Sequence, residues 1–99
     1  YSQFAGYWLE RLFADIYLQS GEYNRVSSYW ESGFINKIDL VAVNDATKLM
    51  VLAEVKLQKK NIHKELLVQK ASKLRAQYPD YRFDYRYLSL EDLNKAFKN

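Results

Sequence analysis

Apolar residues recur along the chain with two periods, and the change from one to the other marks out the elements. From Gln3 to Ser20, Phe4, Trp8, Leu12 and Ile16 return every fourth residue, while Leu9, Phe13 and Tyr17 widen the stripe. This is the pattern of an amphipathic helix, which Gly21 stops. Tyr23 to Glu31 is rich in β-branched and aromatic residues and predicts a strand, with Ser32-Gly33 as a turn before the next extended segment. Ile35 to Val43 and Lys48 to Leu57 both read as strands, and Asn44-Asp45-Ala46-Thr47 between them has the composition of a tight hairpin connection. A second helix follows, capped by Asn61, with Leu67, Ala71, Leu74 and Tyr78 as its apolar stripe and Pro79 as its end. Tyr81, Phe83, Tyr85 and Tyr87 alternate with Arg82, Asp84 and Arg86, a period of two that predicts a half-buried strand. Ser89 caps a short last helix with Asp92 at the capping-box position, and Leu93, Ala96 and Phe97 face inward.

The predicted order is therefore α, β, β, β, α, β and a terminal helix. A helix between the third and fourth strands acts as a crossover, which sets those strands parallel in a mixed sheet covered by helices. This is an α/β layer fold. At 99 residues, 48% of them hydrophobic and 16% aromatic, the chain suffices for one compact core, so residues 1–99 are expected to form a single domain. No internal repeat or low-complexity segment interrupts it. The first residue is a tyrosine and the first helix starts almost at once, so the chain reads as a piece of a longer protein.

Two acids stand out because they interrupt apolar runs: Asp39 within Ile38-Asp39-Leu40-Val41 and Glu54 within Val51-Leu52-Ala53-Glu54-Val55. Carboxylates in buried-strand sequence are costly unless a cation, a hydrogen bond or solvent compensates them. Strand alternation puts Glu54 and Lys56 on one face with Met50 and Leu52. A hairpin turning symmetrically about Asp45 and Ala46 sets Asp39 opposite Leu52 and Lys37 opposite Glu54, so that Asp39 is diagonal to Glu54. Diagonal partners lie roughly 7–8 Å apart, which suits two carboxylates reaching one ion at about 2.1 Å from each oxygen.

Ile38-Asp39-Leu40-Val41-Ala42-Val43, followed across a hairpin by Ala53-Glu54-Val55-Lys56, resembles the bipartite motif of the PD-(D/E)XK nuclease superfamily, and the element order matches its restriction-endonuclease-like αβββαβ core. More narrowly, Gly6-Tyr7-Trp8-Leu9-Glu10, Tyr29-Trp30 and the later motif resemble an uncharacterised nuclease-like domain at the C-terminus of archaeal-type AAA ATPases. The resemblance implies Mg²⁺ or Mn²⁺ held by Asp39, Glu54 and the backbone carbonyl of Val55, and a water-orienting role for Lys56. It further implies that Glu10 extends the metal site or binds water there. The expected activity is hydrolysis of nucleic-acid phosphodiesters, DNA more than RNA, with an ATPase module in the same full-length protein. The alternative is a non-catalytic nucleic-acid-binding or regulatory module of such an ATPase.

The absence of cysteine excludes disulfides, thiolate catalysis and cysteine-bound zinc. The longest apolar runs are far shorter than a membrane span and no signal peptide is apparent, so a soluble, cytoplasmic chain is expected. Net charge is only +3, but Lys56, Lys59, Lys60, His63, Lys64, Lys70, Lys73 and Arg75 form a basic stretch against Glu65 alone. Lys59 and Lys60, next to the motif strand, are the candidate phosphate contacts, and the other lysines read as the solvated outer face of a helix. His63 is assigned no role, and Gln69 is a weak match to a glutamine that some relatives place near the site. Lys37 stands where close relatives often carry glutamate, and its predicted cross-strand position beside Glu54 offers an ion-pair explanation for part of the charge pattern. No glycine-rich phosphate loop occurs, so if the rest of the protein is an ATPase, nucleotide binding is expected there. Oligomeric state is not legible from the sequence.

Overall fold

The computed structural model describes residues 2–31 and 36–96. The turn expected at Ser32-Gly33, the beginning of the strand expected from Ile35, and Phe97 lie outside the described residues, as do the side chains of Phe4 and Ala96. The chain forms α1 (Ser2–Gln19), β1 (Arg25–Trp30), β2 (Lys37–Asn44) and β3 (Leu49–Val55). A 3-10 turn (Lys59–Asn61), α2 (Lys64–Lys70), α3 (Ser72–Gln77), β4 (Arg82–Leu88) and α4 (Leu90–Ala96) follow. The strands make one sheet in the order β1-β2-β3-β4. β1, β2 and β3 are antiparallel neighbours, and β4 joins β3 in parallel after the α2–α3 crossover, which is the expected αβββαβ arrangement.

Helices cover both faces of the sheet, and this explains why β2 and β3 read as nearly continuous apolar runs instead of alternating ones. On one face Leu9, Phe13 and Tyr17 of α1, with Leu93 of α4, pack on Leu40, Ala42, Val51, Ala53 and Val55. On the other, Leu67, Ala71 and Leu74 pack on Ile38, Val41, Val43, Met50 and Leu52. Full burial of Leu9 or Leu67 contributes about 1.5–3 kcal/mol each. The stripe of α1 is displaced from its expected centre by one residue: Leu9, Phe13 and Tyr17 are buried, whereas Trp8 is exposed and Leu12 and Ile16 are only half-buried. Gly21 ends α1 as expected, with the left-handed φ of 78° that glycine adopts without steric cost.

Three expectations are corrected. The second helix is not continuous from Asn61: that residue closes a 3-10 turn, His63 precedes α2 without a side-chain cap, and Ala71 (φ −88°, ψ 2°) separates α2 from α3. Because Leu67, Ala71 and Leu74 keep their spacing across the break, the periodicity concealed it. The β2–β3 hairpin pairs Leu40 with Ala53, Val41 with Leu52 and Val43 with Met50, so Lys37 is not opposite Glu54 and Asp39 is not opposite Leu52. The connection contains four residues, Asp45 to Lys48, with Lys48 in the left-handed region (φ 56°) and Asn44 Oδ1 accepting the Thr47 N–H at 3.0 Å. The resulting register differs from the expected one by two positions, which leaves the side chains from Leu40 onward on their expected faces.

The third correction concerns β2. Ser27 pairs with Val41 but Tyr29 pairs with Ile38, so two residues of β1 advance against three of β2 and Asp39-Leu40 form a bulge opposite Ser28. Regular alternation breaks there. At the start of α4 the Asp92 half of the capping box is present: the Ser89 N–H and hydroxyl both donate to Asp92 Oδ2, at 2.8 and 3.1 Å, while the Asp92 N–H donates to the Ser89 carbonyl. Partial burial pulls the Asp92 carboxyl upward, but the Ser89 donors and the Lys59 ammonium outweigh it and hold the group below its ordinary value.

Candidate functional site

The bulge determines where the site opens. Beyond the Leu40–Ala53 pair the β2–β3 ladder ends, and the Asp39 carboxylate takes the place of a backbone acceptor: its Oδ2 receives the Val55 N–H at 2.8 Å. Extrapolating the ladder by one step puts Asp39 across from Glu54, so the two acids flank the point where the strands part. A cleft of about 650 Å³ opens there, lined by Glu10, Lys37, Asp39, Glu54, Val55, Lys56 and Lys70 among others. Every residue expected to hold the metal or assist catalysis, Glu10, Asp39, Glu54, Val55 and Lys56, thus borders one cavity.

Glu54 shares the face of Met50 and Leu52 and is only 8% exposed. Its Oε2 lies 3.7 Å from Lys56 Nζ and its Oε1 lies 3.5 Å from Lys70 Nζ. Oε1 is buried and receives no hydrogen bond. An ionised oxygen removed from water without a donor is costly, and the ammonium of Lys70 compensates it only through space. Such an oxygen retains lone pairs for a cation that enters the cleft.

Glu10 reaches the cleft from α1, on the opposite side of the sheet from α2. Lys37 Nζ lies between it and Asp39, 3.5 Å from Glu10 Oε1 and 3.6 Å from Asp39 Oδ1. Burial pushes the Glu10 carboxyl above its ordinary value and the adjacent Asp39 charge adds to this, outweighing the opposing effect of the Lys37 ammonium. The cleft therefore holds three carboxylates, Glu10, Asp39 and Glu54, interleaved with three ammonium groups, Lys37, Lys56 and Lys70. Among the described residues no three His, Cys, Asp or Glu side chains are gathered as a metal-holding group. A divalent ion would rely on Asp39, Glu54 and main-chain or solvent oxygen, a donor set suited to hard cations such as Mg²⁺ and Mn²⁺.

Of the lysines expected to contact phosphate, Lys59 is paired with Asp92 at 3.4 Å, and neither it nor exposed Lys60 lines the cleft. Gln69 and His63 are exposed and outside it. Lys70, which its charge assigns to the solvated face of the helix, is 24% exposed and directed at Glu54. Its spacing carries the signal, since Leu67, Lys70, Ala71 and Leu74 form one helical face turned to the sheet.

Outside the cleft, Asp45 organises the hairpin end, accepting hydrogen bonds from Asn24, Arg25 and Tyr81, and these donors hold its carboxyl well below the usual range. No described helix is long and apolar enough to cross a membrane. No curated protein and no solved structure matches the chain. Residues 1–79, which include every cleft residue named above, match DUF234, and the chain belongs to this family of archaeal and bacterial proteins of unknown function.

Proposed function

We propose that the chain is a metal-dependent phosphodiesterase of the PD-(D/E)XK type that cleaves nucleic acid, with DNA preferred over RNA, as part of a larger protein carrying an ATPase module. The observation that carries this reading is the buried Glu54 Oε1, which accepts no hydrogen bond and has only the Lys70 ammonium at 3.5 Å, beside Asp39 and Lys56 in an open cleft. An acid placed this way is expensive for folding alone, and a cation site gives it a purpose.

Asp39, Glu54 and the main chain of Val55 would hold Mg²⁺ or Mn²⁺. A divalent ion bound there supplies Lewis acidity, which acidifies water and offsets charge growing on the phosphate. Asp39 is presented rigidly because its other interaction, with the Val55 N–H, fixes its rotamer. Lys56, 45% exposed and 3.7 Å from Glu54, directs its ammonium to the cleft mouth, where it orients the attacking water and stabilises negative charge at the phosphorus. Lys70 sits deeper, 24% exposed, with its ammonium 3.5 Å from Glu54 Oε1.

The test is incubation with plasmid DNA, single-stranded DNA and RNA in Mg²⁺ or Mn²⁺. Wild-type protein should cleave, and Asp39→Ala and Lys56→Ala should lose about 100-fold or more in rate. Equal cleavage by wild type and both variants would refute the assignment. A second reading, a non-catalytic nucleic-acid-binding or regulatory module of an AAA-type ATPase, is favoured by the balance of three acids against three lysines within the cleft. Binding of nucleic acid without cleavage in either metal would select it.

A further inference from the structure

Lys37 occupies a distinctive position. It begins β2, two residues before Asp39, and the bulge that follows it lets its ammonium lie beside the fork where β2 and β3 separate. There it contacts two acids from different elements, Glu10 of α1 at 3.5 Å and Asp39 of β2 at 3.6 Å. Both distances exceed those of close charge-assisted hydrogen bonds, about 2.7–2.9 Å, so the ammonium is held mainly by the field of the two carboxylates. Asp39 keeps its other oxygen on the Val55 N–H, and Glu54 lies on the far side with its own pair of lysines. The cleft thus has two acidic corners: Asp39 with Glu54, where Lys56 and Lys70 each contact Glu54 alone, and Asp39 with Glu10, where one ammonium contacts both acids.

We propose that the Lys37 ammonium is a built-in cation that fills the second acidic corner, between Glu10 and Asp39, and so limits the cleft to one divalent ion. This rests on the reading that Asp39 and Glu54 bind a metal. Two-metal phosphodiesterase sites use two cations to hold the attacking and leaving oxygens of the phosphate. Here one positive charge is tethered to the chain, so no second ion has to be recruited from solution, and Glu10 acts as a positioning residue for Lys37 instead of as a metal ligand. An ammonium and a divalent ion compete for the same carboxylate lone pairs. All three lysines are tethered, but only Lys37 engages both acids of one corner at once, so a second ion would have to break two contacts there, whereas the first displaces ammonium groups from Glu54 alone.

Counting bound Mn²⁺ tests this without reference to activity. In a solution titration followed by the electron paramagnetic resonance signal of free Mn²⁺, wild-type protein should take up about one equivalent. Lys37→Met, which keeps the apolar stem but removes the charge, should take up a second equivalent or bind the first about tenfold more tightly. Lys37→Arg should remain at the wild-type value. Lys73→Ala, which removes a charge of the same sign from an exposed position outside the cleft, should change neither quantity. Glu54→Gln in the wild-type background reports on the underlying site. If an ion that Glu54→Gln eliminates is present and Lys37→Met leaves both stoichiometry and affinity unchanged, the role of Lys37 is overturned while the metal reading stands. If wild-type protein already holds two ions, the proposal also fails. If it holds none that depends on Glu54, the metal reading and this inference fall together.

Discussion

Replacing Glu54 by methionine asks whether that residue is present for the fold or for the cleft. Its Oε1 is buried without a hydrogen-bond donor, and an unsatisfied buried polar group costs about 1–3 kcal/mol, more when charged. Against this stand two ammonium groups at 3.5 and 3.7 Å, whose side chains are 24% and 45% exposed. Solvent screening reduces such pairs to about 0–1 kcal/mol each. The balance is a net cost of about 1 kcal/mol for keeping a carboxylate there. Methionine matches its length, continues the apolar face of Met50 and Leu52, and leaves Lys56 and Lys70 able to turn toward water. Glu54→Met should therefore raise the melting temperature in EDTA by about 4–8 °C, the shift that 1 kcal/mol produces in a domain of this size. Differential scanning calorimetry of both proteins, in EDTA and in excess Mn²⁺, supplies the readout. Mn²⁺ at 100 times its dissociation constant should stabilise the wild type by about 2.7 kcal/mol and leave Glu54→Met unaffected. A variant that loses more than about 1 kcal/mol in EDTA would show Glu54 to be a structural ion-pair partner, and the reasoning would be refuted.

Two further outcomes follow from named contacts. Asp39→Ala removes the acceptor of the Val55 N–H and should cost about 1–3 kcal/mol by chemical denaturation, whereas Asp39→Asn retains an acceptor oxygen, should lose less than half of that, and should still lose Mn²⁺ binding. Asp92 is held below its unfolded value, so its contribution to stability is complete above the unfolded pKa of about 3.9 and disappears as pH falls through the lower folded value. The stability gap between wild type and Asp92→Ala, about 1 kcal/mol at pH 7 for a helix cap, should accordingly close on acidification, and a gap that persists unchanged at low pH would contradict the capping account.

The order of elements was legible because each type left its own period. The acids were legible because Asp39 and Glu54 break apolar runs that only a doubly covered strand requires. What stayed hidden has physical causes. The connection after Asn44 fits a short or a four-residue turn equally well by composition, and only the left-handed Lys48 backbone distinguishes them. The even register difference kept Leu40 to Asn44 on their expected faces, but it moved Lys37 away from Glu54. The bulge at Asp39 carries no glycine or proline to announce it, yet it places that carboxylate on the Val55 N–H instead of in simple alternation. Lys70 was obscured by its charge, which argues for solvent, although its spacing from Leu67 and Leu74 argues for the sheet. Lys37 was expected opposite Glu54 and instead serves Glu10 and Asp39, a pairing between α1 and β2 that no local pattern encodes.

The central claim is that Asp39 and Glu54 converge on a site for a divalent cation. A crystal grown with Mn²⁺ and measured at the manganese absorption edge tests it most directly. The account predicts an anomalous peak about 2.1–2.2 Å from a carboxylate oxygen of each residue, with Lys70 displaced from Glu54 Oε1. A cleft without such a peak, in which Lys70 closes to a direct hydrogen bond on that oxygen, would contradict it.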